Sequence, residues 1–245
     1  MEADRTPKNR RGFLRASAAT LVLSTIPFAA RAASAPAGKM KIGIVGSGRV
    51  GGTLGGIWAN AGHTVMFSSL DLEHDRKLAA SVGSNASAGT PRAAAAFGDV
   101  LLIAVPYHAL PSVGKDLGEL LKGRVVIDTC NPITGRDGDV GIWAQEKGAG
   151  LASAELLPGA RIVRCFNAVG YSRLPEAAKR EPRFGMPIAG DDPKAIAIVS
   201  GLVRDIGYEP VLVGSLAMGR HLVPRQPLAG ERTPEEIRKI VATLK

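Results

Sequence analysis

Aromatic residues are scarce in this chain. Phe, Trp and Tyr together make up 4% of its 245 residues. Few rings are therefore present on which nucleic-acid bases could stack, and outside the first 32 residues no cluster of Lys and Arg is interleaved with aromatic residues. We therefore expect no nucleic-acid partner.

Cysteine is also rare, and the usual cysteine and serine motifs are missing. There is no C-x-x-C pair, no His/Cys cluster at metal-ligand spacing and no G-x-S-x-G turn, so we predict no metal site and no serine hydrolase. The two cysteines, Cys130 and Cys165, lie near the carboxyl ends of neighbouring predicted strands. An oxidising compartment would permit a disulfide, but side chains on parallel strands project from the sheet plane rather than toward each other. Two buried thiols are favoured, and a bridge stays open.

The first 32 residues carry the pattern of an export signal. Residues 9–15 contain a twin-arginine pair, residues 16–30 form an apolar run, and the run ends in the small residues Ala30, Ala32 and Ala33. The apolar run is short and rich in Ala, Ser and Thr, whereas a good membrane span needs about 20 strongly apolar residues. We predict a twin-arginine signal peptide at 1–32 and a flexible lead at 33–39, with an uncleaved anchor as the alternative.

Cleavage of this signal would leave a periplasmic or otherwise exported protein with no stable membrane insertion. The segment holds six of the 31 basic and two of the 22 acidic residues, so the net charge falls from +9 to +5. About 210 residues remain, which suits one domain with a sizeable core. We place this domain at residues 40–245.

The most informative segment is an apolar run that ends in a Gly-x-Gly-x-x-Gly loop and is followed by a helix-like stretch. The motif alone is weak in a chain with 30 glycines, but a strand before it and a helix after it are the context that it requires. Gly46 allows a tight turn, Gly48 lets the backbone approach a pyrophosphate, and Gly51 lets the helix pack on the strand. The candidate cofactor-binding residues of this loop are Gly46, Ser47, Gly48, Arg49, Val50 and Gly51.

Strands and helices alternate along the rest of the domain. Continuous apolar runs, typical of parallel strands buried on both faces, predict strands at 64–67, 100–105, 125–128, 162–166, 187–190 and 210–213. Helices are predicted at 71–82, 93–97, 110–121 and 193–206, and a short C-terminal helix begins at Thr233. This pattern predicts a doubly wound α/β Rossmann fold with a mostly parallel sheet, as a single domain.

Several segments together carry a family resemblance. They are residues 44–51, 62–65, 104–106, 126–128 with 131–132, 158–163, 165–167 and 189–192. In this order they resemble the deazaflavin-dependent NADP reductase family, which is related to the N-terminal domain of pyrroline-5-carboxylate reductases, over nearly all of residues 40–225. The chain has no room for the large helical dimerisation domain of those reductases, and a homodimer is compatible with the resemblance.

The resemblance implies an NADP(H)-dependent oxidoreductase that transfers hydride between the nicotinamide and a small, deazaflavin-like acceptor. It places the cofactor across the C-terminal edge of the sheet, with the nicotinamide beside Val105, Pro106, Asn131 and Asn167. The alternative is a non-catalytic dinucleotide-binding module, either a redox sensor or a domain that docks on a partner.

The end of the second strand favours NADP over NAD. An NAD site usually has an acidic residue there for the ribose 2′-hydroxyl, but here Ser68-Ser69 offer hydroxyl donors and no carboxylate. The family pattern continues with Arg, whereas this chain has Leu70, so Arg49 or Arg76 would have to supply the charge. Asp71 lies close enough to keep NAD open.

Hydride chemistry is carried mainly by the cofactor, so no acid–base residue is required. His108 is a weak catalytic candidate at the mouth of the crevice, and a solvated loop histidine is the alternative. Asn131 and Asn167 each follow a strand that ends at this crevice, where their amides could hold the carboxamide or a substrate oxygen or merely cap loops. Arg220 and His221 are expected to close the pocket from the C-terminal side.

Overall fold

The computed structural model describes residue 2 and residues 38–244 of the chain. The predicted signal peptide, apart from residue 2, and most of the predicted lead lie outside the described residues. Among those that are described, no helix is both long and apolar enough to cross a membrane.

An eight-stranded sheet forms the centre of the domain, with the strand order β3-β2-β1-β4-β5-β6-β7-β8. Neighbouring strands are parallel except for β6 and β7, which are antiparallel. The first six strands have the order typical of dinucleotide-binding folds, so the predicted doubly wound, mostly parallel sheet is confirmed. The strands are β1 (Lys41–Val45), β2 (Thr64–Ser68), β3 (Ala86–Ala88), β4 (Val100–Ile103), β5 (Val125–Asp128), β6 (Arg161–Arg164), β7 (Gly185–Gly190) and β8 (Glu209–Gly214).

Eight α-helices are seen in the described part of the chain. They are α1 (Arg49–Asn60), α2 (Leu72–Val82), α3 (Pro91–Phe97), α4 (Leu110–Leu121), α5 (Thr134–Lys147), α6 (Ala149–Leu156), α7 (Pro193–Ile206) and α8 (Pro234–Val241). Short 3₁₀ segments occur at Tyr107–Ala109, Tyr171–Lys179 and Leu216–His221. The predicted C-terminal helix is present, and its N-terminus is closed by a capping box between Thr233 and Glu236.

The sequence did not predict β3, α5 or α6. Strand β3 is only three small residues long, which leaves no apolar periodicity to detect. Helix α5 contains three glycines and is interrupted at Gly138, whose φ is +55°. Glycine is a poor helix former, so local propensity argued against this element.

Apolar side chains cover both faces of the sheet. Ile42 and Ile44 of β1 belong to one buried cluster, which also contains Trp58 and residues of α7. Val45 belongs to a second buried cluster on the opposite face, together with residues of α4 and α6. Because alternate residues of a strand point to opposite faces, burial on both sides explains the continuous apolar runs. It also leaves the C-terminal edge of the sheet as the place where loops and polar side chains gather.

Candidate dinucleotide-binding site

Two glycines of the loop after β1 have no room for a side chain. Gly46 has a φ of +100°, and a Cβ there would lie 2.5 Å from the carbonyl oxygen of Ala104 and 2.9 Å from Cγ1 of Val105. A Cβ at Gly51 would lie 2.0 Å from the carbonyl oxygen of Gly46. The sharp turn and the close packing of α1 on β1 therefore both require glycine, and Val105 lies beside the loop.

Gly48, by contrast, is exposed and faces open space. A Cβ there would have no atom within 4 Å. Gly48 is the N-cap of α1, it provides no side-chain acceptor, and no acidic residue lies in the first turn. The first N–H groups of α1 thus keep their donors and their partial positive charge for an external anion. This open, positive cradle fits a pyrophosphate.

Neither of the arginines expected near the adenosine end pairs with Ser68 or Ser69, at the end of β2. The guanidinium of Arg49 lies 5.7 Å from the centre of the Tyr171 ring. Nη1 of Arg76 lies 2.8 Å from Oε1 of Glu73, and both side chains are exposed. Val50, in the first turn of α1, packs against the apolar core.

Ser68, the last residue of β2, and Ser69, the residue after it, have different environments. Ser68 is fully buried, and its hydroxyl donates to the carbonyl oxygen of Ile44 at 2.6 Å. It is therefore engaged within the sheet, and a contact with a 2′-phosphate would fall to Ser69. The hydroxyl of Ser69 lies 3.0 and 3.1 Å from the two carboxylate oxygens of Asp75.

Asp75 is a candidate site residue that the sequence analysis missed, because it contacts both Ser47 and Ser69. Its carboxylate is fully buried and accepts hydrogen bonds from the hydroxyls of Ser47 and Ser69. Within residues 38–244, no Lys or Arg forms an ion pair with it. The only sequence signal was an acidic residue one helical turn after the N-cap Asp71, which places it on the side of α2 that faces the loop.

The sequence favoured NADP because no acidic residue ends β2. In the structure, however, α2 brings the carboxylate of Asp75 to the same place. A 2′-phosphate at Ser69 would face the negative charge of Asp75, and Leu70, where the family pattern has Arg, is fully exposed. The Asp71 carboxylate, which kept NAD open, caps α2 by accepting from the backbone N–H of His74.

At the opposite end of the crevice, Asn131 and Asn167 lie side by side. Nδ2 of Asn131 donates to the carbonyl oxygen of Asn167 at 3.0 Å. Asn167 is 4% exposed, and its Oδ1 is buried without a hydrogen-bond partner. A buried acceptor without a donor is costly, so this oxygen is suited to accept a hydrogen bond from a bound amide.

A buried ion pair between Arg164 and Asp128 holds the side chain of Asn131. Arg164 and Asp128 are both fully buried, and Nη1 of Arg164 lies 2.5 Å from Oδ2 of Asp128. Nη2 of Arg164 donates to Oδ1 of Asn131 at 3.3 Å, and Oδ1 of Asp128 accepts from the backbone N–H of Cys130 at 2.7 Å. The sequence analysis missed this pair, although an Arg and an Asp at the ends of apolar strands were a usable signal.

His108 lies after β4 and forms a dyad with Asp137. Its Nδ1 lies 2.9 Å from Oδ1 of Asp137, whose side chain is fully buried, while the His108 side chain is half exposed. Burial raises the pKa of Asp137, but hydrogen bonds from Arg136, the Ile133 N–H and His108 outweigh it and hold this pKa well below its usual range. An ionised Asp137 favours a proton on Nδ1. Pro106 begins the turn that carries His108.

Both cysteines are buried and free in this structure. Burial raises the pKa of each thiol well above its ordinary value, so neither is a thiolate at neutral pH. In the part of the chain that the structure describes, no group of three or more His, Cys, Asp or Glu side chains is arranged to hold a metal ion.

Arg220 and His221 lie in the last 3₁₀ segment, as expected beyond the final strand. Arg220 lines a cavity of about 570 Å³ that also touches Pro132, directly after Asn131. His221 Nε2 is buried without a partner. Burial and the charge of Arg220 lower the pKa of His221, so its imidazole is neutral at pH 7.

Comparisons with known proteins agree with this geometry. Residues 41–132 match the family model described as NADP oxidoreductase, coenzyme F420-dependent. Rat (Rattus norvegicus) metalloreductase STEAP3 is 28% identical over 204 residues, which cover 82% of this chain and 40% of that protein. The chain thus spans less than half of the length of the curated relatives it matches.

Solved structures show the same fold. A hypothetical protein from Sinorhizobium meliloti superposes with a TM-score of 0.67 and 22% identity, over 80% of this chain and 96% of that chain. A candidate F420-dependent NADP reductase from Arthrobacter sp. FB24 has a TM-score of 0.63 and 20% identity, over 74% of this chain and 87% of that chain. The structures establish the Rossmann fold, and the family model and the rat protein support a general oxidoreductase that uses a nicotinamide dinucleotide.

Proposed function

We propose that this chain is an NADP(H)-dependent oxidoreductase that transfers hydride between the nicotinamide and a small, deazaflavin-like acceptor. The observation that carries the proposal is the exposed, uncapped N-terminus of α1 at Gly48, with a tight glycine turn before it. Such a helix end binds a pyrophosphate through its N–H groups and its dipole. The match of residues 41–132 to the NADP oxidoreductase model supports the choice of ligand.

A bound nicotinamide supplies the hydride, and the protein supplies binding, orientation and a dry surface. Asn167 provides a buried acceptor for the carboxamide N–H. Asn131 is held in place by its bond to the Asn167 carbonyl and by Arg164. The two asparagines therefore orient the ring rather than exchange protons.

His108 is the group that would donate a hydrogen bond or a proton to the acceptor. Asp137 fixes the imidazole through Nδ1, and Nε2 has no partner among the described residues. This arrangement, a half-exposed imidazole oriented by a buried carboxylate, is suited to proton transfer at the mouth of a crevice.

We propose that NADP is preferred, but only weakly. The end of β2 carries no carboxylate and the match of residues 41–132 supports NADP, whereas Ser69 already donates its hydroxyl proton to Asp75 and Leu70 provides no charge for a 2′-phosphate. The buried Asp75 favours NAD as a second cofactor, because its charge does not oppose a neutral ribose. Ser69, which donates to Asp75, can accept from the ribose 2′-hydroxyl. Discrimination between the two nucleotides should therefore be smaller than a site with an arginine would give.

Replacing Leu70 with Arg should tighten NADP binding by about tenfold and leave NAD unchanged. A charge-assisted hydrogen bond contributes about 1.5–3 kcal/mol, and tenfold corresponds to about 1.4 kcal/mol. Asp75→Asn should also tighten NADP binding relative to NAD, because it removes the repulsion between the carboxylate and the 2′-phosphate. The amide oxygen of Asn still accepts from the serine hydroxyls. Calorimetric titration of both nucleotides measures the change.

Leu212→Arg is the matched control, because it adds the same charge to an exposed leucine on β8, at the far edge of the sheet. It should leave both affinities unchanged. An equal response of NADP and NAD to Leu70→Arg would remove the basis for placing the adenosine end beside Ser69.

We also propose that the domain folds and takes up nucleotide in the cytoplasm and is then exported by the twin-arginine route. The paired Arg10 and Arg11 before an apolar run support this. N-terminal sequencing of the protein from the periplasmic fraction tests it. A chain that begins near residue 33 is expected, and an intact Met1 on a membrane-bound chain would show an anchor instead.

A further inference from the structure

A cavity of about 570 Å³ adjoins the carboxyl end of β5. Its walls include Pro132, the residue after Asn131, so it opens at the nicotinamide end of the crevice rather than at the glycine loop. In doubly wound sheets this edge is where ligands bind. Its volume is within the roughly 300–1,000 Å³ typical of small-molecule pockets.

The charge of the cavity has one sign. Arg220 and Arg225 line it, and none of the described residues that line it is Asp or Glu. Thr134, Gln145 and Gln226 add neutral polar groups. Two cations in a concave wall without a counter-charge raise the local concentration of anions.

Most of the N–H donors of the two arginines form no hydrogen bond within the described part of the protein. Arg220 donates a single hydrogen bond, at 3.4 Å from Nη2 to the carbonyl oxygen of Lys147, although a guanidinium carries five N–H donors. Arg225 forms no hydrogen bond or ion pair with any other described residue. The neighbouring ammonium of Lys147 is already paired with Glu155. The guanidinium groups of this cavity are therefore available to a ligand.

The backbone at Arg225 gives an independent indication. Its φ is +69°, in the left-handed region that residues other than glycine rarely adopt. Such strain persists only where the surrounding structure maintains it, and it concentrates at ligand sites. Here it belongs to a residue that presents a charge to a cavity.

We propose that this cavity holds the acceptor and that Arg220 and Arg225 bind an oxyanion group on it, a carboxylate or a phosphate. The proposal rests on the proposed function, because it assigns the substrate class of the same crevice. The guanidinium forks match oxyanion geometry and need no proton transfer. The acceptor is then a small organic anion whose charged end lies away from the ring that receives the hydride.

Calorimetric titration with citrate and with inorganic phosphate tests this, each on the chain alone and on the chain saturated with NADPH. Saturation blocks the glycine loop as an alternative anion site. Binding at one site is expected for at least one of the two probes, and their relative affinities distinguish carboxylate from phosphate recognition. Trimethyl citrate, which has no charge, should not bind.

Arg220→Gln and Arg225→Asn should each weaken this binding by at least about tenfold, since one charge-assisted contact is lost. Asn removes the charge and tolerates a positive φ, so the backbone is preserved. Arg183→Gln, an exposed arginine outside the cavity, is the matched control and should change nothing. Thermal unfolding confirms that each variant is folded.

Three outcomes would overturn the proposal. The first is that the parent chain binds neither probe. The second is that the two cavity variants bind the probes as tightly as the parent chain. The third is that Arg183→Gln loses as much affinity as the cavity variants. Failure of the proposed function is seen separately, as failure of the parent chain to bind NADPH. In that case the titrations on the nucleotide-free chain still decide whether the cavity binds anions.

Discussion

Replacing Gly48 with valine should weaken NADPH binding by at least about 100-fold, which corresponds to about 2.8 kcal/mol, and leave the fold intact. Gly48 lies at the N-cap of α1, with a φ of −66° that valine tolerates, and a Cβ there meets no protein atom within 4 Å. The space that the side chain would fill is the space that a pyrophosphate needs. Calorimetric titration with NADPH measures the loss, and urea unfolding measures the stability.

Gly118→Val is the matched control for this change. Gly118 also faces open space, but it lies on α4, away from the loop. The control should bind NADPH like the parent chain. If Gly48→Val also bound it like the parent, the glycine loop would not be the nucleotide site.

Replacing Arg164 with methionine should lower the free energy of unfolding by about 3–5 kcal/mol. The change leaves Asp128 charged and fully buried without its partner. The loss is a large fraction of the 5–15 kcal/mol typical of native domains. Urea denaturation measures it. NADPH affinity should fall as well in protein that remains folded, because Asn131 loses the donor that holds its side chain.

A double variant separates the buried charge from a general packing defect. Arg164→Met with Asp128→Asn removes both charges, and Asn keeps an acceptor for the Cys130 N–H, so much of the stability should return. Arg161→Met is the control on the same strand. Its pair with Asp192 is about one-third exposed and screened by solvent, so its loss should cost far less than the loss of Arg164. Equal costs at Arg161 and Arg164 would contradict this view of the buried pair.

The sequence was sufficient for the fold because its strongest signals were also structural necessities. Glycine is required at 46 and 51 because the backbone nearby leaves no space for a Cβ. The apolar runs mark strands that are buried on both faces. Helix α5 escaped prediction because its glycines lower helix propensity, and packing decided its conformation instead.

The site was predicted less completely. Asn131 and Asn167 follow strands that end at the same edge, and there they contact each other. Their role in cofactor binding stays a prediction. Asp75, Asp137 and Arg164 were missed, because their roles depend on partners that are distant in sequence or on an approach from another element. Asp75, for example, contacts Ser47 across 28 residues. The spacing of residues within one segment does not show which residues of another segment they contact.

The central claim is most directly tested by following the oxidation of NADPH by its near-ultraviolet absorbance, with 5-deazariboflavin 5′-phosphate as the hydride acceptor. The account predicts oxidation by the parent chain that Gly48→Val abolishes and Gly118→Val retains. NADPH that binds to the parent chain but is not oxidised would contradict hydride transfer and leave a dinucleotide-binding module.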